Sequence, residues 1–150
     1  MAEDLEQTIQ RLKELAGDVP LGWDRPRPKR VYIAVDKKDA REFARMLFED
    51  FGARFATATG TDIGEELEVV YHFECDAVGL VINMRERTPK GDPVVPSITP
   101  VVPAADWIER EMNDLVGIVF DGHPDPRRLI LADDWPDGVY PLRRDKKNDA

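Results

Sequence analysis

The residue types that most often carry chemistry are scarce in this chain. It holds one cysteine, Cys75, one serine, Ser97, and two histidines, His72 and His123. An iron–sulfur cluster usually takes four cysteines and a zinc site three or four Cys, His or carboxylate ligands. The chain therefore cannot build a cluster from its own thiolates. No Gly-rich phosphate-binding sequence of the dinucleotide or P-loop kind is present. His72 and Cys75 fall in a strand-like run, where alternation sends Tyr71, Phe73 and Cys75 to one face and His72 and Glu74 to the other. They point apart, a surface histidine and a core cysteine rather than a ligand pair. Ser97 lies between prolines, without the turn sequence of a serine nucleophile.

The charged and polar groups concentrate between Trp107 and Asp145. A helix over ADWIEREMNDLVG puts Trp107, Glu111 and Leu115 on one stripe, beside Ile108 and Met112. Glu111 then sits among apolar neighbours, where a carboxylate needs a partner. Arg127 and Arg128 are the candidates for it, and Arg110 can pair with Asp114 four residues on. The plain reading is an ion-pair knot joining helix, loop and strand. The sharper one is an anion-binding site made by His123, Arg127 and Arg128, with His123 held between Gly122 and Pro124.

Several elements must position these groups. Leu5, Ile9, Leu12 and Ala16 form one stripe of an amphipathic helix ending near Gly17. The Pro- and Arg-rich PLGWDRPRPKR reads as a connector. Val31 to Val35 is a short strand. A helix follows from Asp39 to Phe51, with Phe43, Met46, Leu47 and Phe48 on its apolar side and Gly52 at its end. Ala53 to Thr59 is a second strand, and Leu67–Cys75 and Val78–Arg87 form a hairpin about Asp76 and Ala77. This β-α-β-β-β order predicts an α+β fold: a mostly antiparallel sheet with helices packed on one face. An irregular Pro-rich segment, a third helix and an extended C-terminal region come after it. Pro93 to Ala105 carries no charge, and its prolines favour an extended edge path. Left bare, such an edge would invite pairing, so it reads as a docking surface. The third helix begins near Pro103 and stops at Gly117.

Length and charge bound the rest. The 150 residues suit one domain, 1–150, divided into a helix (1–17), an α+β core (29–92), the Pro-rich segment with the charged motif (93–145) and a tail (146–150). The net charge of −9 argues against nucleic acid and acidic lipid as partners. The lone cysteine excludes an intrachain disulfide and fits a reducing compartment. No apolar run reaches the roughly 20 residues of a membrane span, and the N-terminus lacks a signal's apolar region. Any membrane link is expected to run through a partner.

Taken in order, the residues 109–128 are EREMNDLVGIVFDGHPDPRR, followed by LILADDWPDG and, at 141–145, PLRRD. The string resembles the signature of the 30 kDa subunit family of complex I (NADH:quinone oxidoreductase), a family that includes the equivalent subunit of energy-converting nickel–iron hydrogenases. The matching positions are Glu109, Arg110, Glu111, Asp114, Gly117, Phe120, Gly122, His123, Pro124, Asp125, Arg127, Arg128, Asp134, Trp135, Pro141, Leu142, Arg143 and Asp145. Val116 and Pro126 depart from the pattern, standing where an aromatic and an apolar residue are usual. The resemblance implies a subunit without catalytic or cofactor-binding residues of its own, its motif facing a partner. The expected partners are a large catalytic subunit, with a quinone or nickel–iron site, and a small iron–sulfur subunit. The resemblance also implies a peripheral position on the cytoplasmic side of the cell membrane. Iron–sulfur clusters and, in hydrogenases, a nickel–iron site belong to those other subunits. The DDWPDGVYPLRRD wording and the short tail lean toward the hydrogenase type, with an NADH- or ferredoxin:quinone oxidoreductase subunit as the alternative. An autonomous anion-binding enzyme is the alternative of another class.

Overall fold

A computed structural model describes residues 4–144. Its first helix, α1 (Leu5–Ala16), starts with a capping box: Gln7 N–H donates to the Asp4 carboxylate at 2.7 Å, and Asp4 N–H donates back to Gln7 Oε1. Thr8, Ile9, Leu12 and Ala16 are its buried residues, the expected stripe with Leu5 partly buried. After it the chain forms β1 (Gly22–Arg27), β2 (Arg30–Ala34), the short helix α2 (Ala40–Arg45), and the strands β3 (Arg54–Asp62), β4 (Glu66–Cys75) and β5 (Leu80–Pro89).

The sheet order is β1-β2-β5-β4-β3. Every pair in it is antiparallel except β2 with β5, where Val31 faces Ile82 and Ile33 faces Met84. The chain leaves β2, crosses by way of α2 to the far edge, and returns through the β3-β4-β5 meander to lie parallel beside β2. The α+β fold is the expected one. The register brings Val31, Ile33, Leu67, Val69, Tyr71, Phe73, Leu80, Ile82 and Met84 to one face, where they join the buried residues of all three helices in a single core. His72 points the other way, with Nδ1 2.5 Å from Asn83 Oδ1 and Nε2 2.9 Å from Thr59 Oγ1.

Three expectations change. The expected connector contains β1, an edge strand exposed at five of its six positions. It carries no inward apolar alternation to announce it, and an edge tolerates Pro26 because no neighbour needs that donor. The helix expected from Asp39 to Phe51 changes winding: a 3-10 turn at Lys37–Asp39 precedes α2, and a π-helical stretch, Met46–Asp50, follows it. The wider turn rotates the apolar face, so Phe51 is buried and Phe48 is 39% exposed. Finally, Pro93–Ala105 is no bare edge. Its strand β6 (Val94–Pro96) runs parallel to β7 (Val119–Asp121), and Val95, Ile98, Val102 and Ala105 lie in the chain's own core. Much of the segment therefore packs inside the chain itself, while Pro100, Pro103 and Ala104 stay exposed.

Candidate functional site

The third helix, α3 (Asp106–Val116), begins after a 3-10 turn at Pro103–Ala105 and ends at left-handed Gly117, as expected. Its inward residues are Glu109, Met112, Asp114 and Val116. Ala105, Glu109, Met112 and Val116 recur at four, three and four residues, so the buried stripe lies off the one drawn through Trp107 and Glu111. Trp107 is 69% exposed and Glu111 half-buried. Met112 and Val116 are the apolar pair that seats the helix, and Glu109 goes inside with them.

Glu109 is fully buried and accepts four hydrogen bonds. Ser97 Oγ and Thr99 Oγ1 donate to Oε1 at 2.5 and 2.6 Å, while Tyr71 Oη and Ile98 N–H donate to Oε2 at 2.7 and 2.9 Å. The arrangement ties α3 to β4 and to the 97–99 loop. Burial and the nearby Glu109 and Glu86 carboxyls push the Tyr71 phenol well above its ordinary range. Arg41 braces the same loop from α2, donating to the carbonyls of Ser97 (2.6 Å) and Asp121 (2.8 Å).

The opposite side of α3 holds the charged motif. Arg110 donates to the carbonyls of Arg127 and Arg128 at 3.0 and 3.1 Å, with Asp125 3.7 Å away. Asp114 Oδ2 accepts from three successive amides, Leu129, Ile130 and Leu131, at 2.9, 2.7 and 3.1 Å. Arg110 and Asp114 therefore do not pair with each other; each spends its charge on backbone. Nor does Glu111 pair with an arginine. Arg127 makes a fork with Asp125 at 2.7 and 2.8 Å, which holds that carboxyl well below its usual range. Arg128 binds Asp137 and the carbonyls of Ala132 and Asp133.

His123 is enclosed, its side chain 2% exposed. Its Nδ1 accepts from Asp125 N–H at 2.9 Å, which leaves the proton on Nε2, 3.0 Å from the Asp106 carbonyl. His123, Arg127 and Arg128 thus direct their polar atoms at separate internal partners and do not converge on one anion site. Phe120 is buried beside Val95 in the β6–β7 pair. Trp135 Nε1 donates to Val139 O at 2.7 Å, and Arg143 Nε donates to Val116 O at 2.6 Å, closing the end of α3. Leu142 N–H reaches Leu115 O. Two glycines are sterically required. Gly117 (φ +80°) would place a Cβ 2.6 Å from the Tyr140 ring, and Gly122 (φ +85°) would place one 2.6 Å from Arg41 Nη2. Pro124 and Asp134 are exposed, Pro141 is half-buried, and Asp145 lies outside the described residues, as does the tail 146–150.

Around this network several apolar groups lie outside. Trp107, Ile130 (53% exposed) and Leu142 (56%) face water. Phe55, Trp107, Ile108, Leu129 and Ile130 line a crevice of about 300 Å³ with Glu111. Among the described residues no group of three His, Cys, Asp or Glu side chains could hold a metal ion, and no helix is long and apolar enough to cross a membrane.

The Tyr71–Glu109 pair is not among the pairings expected from sequence, although strand alternation already turned Tyr71 inward.

Residues 33–150 match the family described as the respiratory-chain NADH dehydrogenase, 30 Kd subunit. The chain is 39% identical over 97% of its length to the C subunit of the NADH-quinone oxidoreductase of Chloroherpeton thalassium, spanning 62% of that protein. It is 35% identical over 83% of its length to the beta subunit of the membrane-bound hydrogenase of Pyrococcus furiosus, spanning 73% of it. A chain of the membrane-bound sulfane sulfur reductase, an archaeal respiratory membrane complex, superposes with a TM-score of 0.79 at 25% identity, covering 93% of this chain and 84% of that one.

Proposed function

Because the chain belongs to the 30 kDa subunit family of respiratory-chain NADH dehydrogenase, we propose that it is a non-catalytic structural subunit of a complex I-like, membrane-associated oxidoreductase. It docks on a large subunit bearing a quinone or nickel–iron site, next to a small iron–sulfur subunit. The cofactors reside in those partners, and the chain meets the membrane only through them, on the cytoplasmic side. The hydrogenase-type reading is preferred over a quinone reductase. The likeness to the beta subunit of the Pyrococcus furiosus membrane-bound hydrogenase supports it, together with the DDWPDGVYPLRRD wording.

One observation carries the docking role. Arg110 and Asp114 are consumed by the backbone they hold, so their product is a shaped surface, with Trp107 and Ile130 exposed at an apolar crevice. Exposed aromatic and aliphatic groups around a pocket are the usual anchors of an interface. Capture of the tagged full chain from solubilised membranes of its own host tests the proposal. A large subunit and stoichiometric iron should be recovered with it, the iron leaving with the partner on separation. Trp107→Ala combined with Ile130→Glu should lower recovery about tenfold or more without changing the chain's own melting temperature. Unchanged recovery would move the interface elsewhere, and a chain that purifies alone yet turns over a small molecule would overturn the structural role.

A further inference from the structure

Among the described residues Glu86 is a fully buried side chain whose carboxyl the fold leaves unanswered; Arg85 Nε and Asp106 Oδ1, on less buried residues, also lack a hydrogen-bond partner. Glu86 is 1% exposed, and neither carboxyl oxygen has a hydrogen-bond partner among the described residues. It lies on the core face of β5 between Met84 and Thr88, opposite Val69 and one inward position along the sheet from Tyr71, which pairs with Met84. Tyr71 in turn donates to Glu109. Two carboxyl groups therefore share one interior, and only Glu109 is supplied with donors. A buried carboxylate without donors or a bound cation is strongly disfavoured against its neutral acid.

We propose that Glu86 and Glu109 form an internal carboxyl pair, in which the fold supplies donors to Glu109 and Glu86 holds a proton, taken from solvent, at neutral pH. The groups that bear on Glu86 are few. From α3 comes the Glu109 carboxyl, from β4 the neutral Tyr71 hydroxyl, and from the turn before α2 come Asp36 and Lys37. Burial is the largest influence and Glu109 the next; both push the Glu86 carboxyl well above its ordinary range, and Asp36 adds to them. Lys37 works the other way, but its ammonium is already engaged by Thr88 Oγ1 and the Val94 carbonyl, each at 2.9 Å. It sits next to the site without discharging it. Lys37 is partly exposed, whereas Glu109 is fully buried.

Carboxyl infrared and carbon-13 spectra of the full-length chain test this directly. The wild type should show one protonated side-chain carboxyl at neutral pH, and Glu86→Gln should lack it. A second readout is the pH dependence of unfolding. A group whose folded pKa is raised above an unfolded value of about 4.3 contributes stability at low pH and loses it as pH rises through the folded pKa. Over that window the wild-type unfolding constant should rise relative to the Gln variant by about tenfold per pH unit, one proton's worth. Equal slopes in the two proteins, or a protonated carboxyl that survives Glu86→Gln, would overturn the proposal. If the variant does not fold, the wild-type spectrum alone decides: no protonated carboxyl at neutral pH refutes the site.

Discussion

Removing the Glu109 side chain would strand three hydroxyls and one amide in the core. Each buried donor left without an acceptor costs about 1–3 kcal/mol, and a small domain has only about 5–15 kcal/mol in total. Glu109→Ala should therefore abolish or nearly abolish cooperative folding in urea denaturation. Glu109→Gln keeps one acceptor oxygen and should be less severe, and Tyr71→Phe should cost about 1–2 kcal/mol. Glu111→Ala should fall within about 0.5 kcal/mol of wild type, as half-exposed positions without a partner do. A Glu109→Ala protein as stable as wild type would dismiss the knot. Residues two apart on a helix face different ways, so the two glutamates of one short motif have opposite environments: Glu109 meets Tyr71 and the 97–99 loop, while Glu111 lines a surface crevice.

At the scale of elements, the irregular stretch from His123 to Arg144 has almost no backbone ladder of its own. Side chains replace it. Asp114 takes three consecutive amides, Arg110 takes two carbonyls, and Arg143 takes the last carbonyl of α3. Hydrogen bonds to a charged group contribute roughly 1.5–3 kcal/mol each. Asp114→Ala should thus free the 129–131 backbone locally, raising amide exchange of Leu129, Ile130 and Leu131 about tenfold or more. The amides of β4 and β5 should keep their protection. Exchange that rises equally across the sheet would mean that Asp114 supports the whole core rather than this stretch. Gly117 and Gly122 take left-handed turns that favour glycine, and at Gly117 a Cβ would also meet the Tyr140 ring.

For the whole molecule, the pH range of stability follows from two buried carboxyls with opposite shifts. Burial alone would raise the Asp62 carboxyl, but Lys90 Nζ at 2.7 Å, the Arg144 amide at 2.6 Å and the Gly64 amide at 3.0 Å hold it down at about 2. Its unfolded value is about 3.9. A depressed pKa contributes stability that is complete above the unfolded value and is lost as pH falls through the folded one, here between about pH 4 and 2. Asp62→Asn should remove this acid limb, a contribution on the order of 2 kcal/mol at neutral pH, in melts recorded against pH. An acid limb of unchanged steepness in the variant would assign the loss to other carboxylates. Asp62 lies at the end of β3 and reaches a residue 82 positions later, so this limb also reports whether the C-terminal stretch stays attached to the sheet.

Local order was legible because it is written in short periods. The 5-9-12-16 stripe defined α1, alternation defined β4 and β5 and turned Tyr71 inward, and Gly117 ended α3 where a left-handed residue was required. The ordered string from Glu109 to Arg143 identified the family, since such a string survives without any knowledge of its contacts. The remaining features depend on partners distant in sequence. Strand β1 exists because β2 lies beside it, and the parallel β2–β5 pair because a meander returns across the whole sheet. The uncharged Pro93–Ala105 segment reads equally well as an outer docking edge or an inner strap, and β7 decides for the strap. Glu109 rather than Glu111 is buried because the sheet meets α3 along Met112 and Val116, a rotation of the helix that no spacing within it determines. Periodicity states which residues share a face; only the tertiary contact states which face is covered, and the desolvation of that face then decides which charges must find partners.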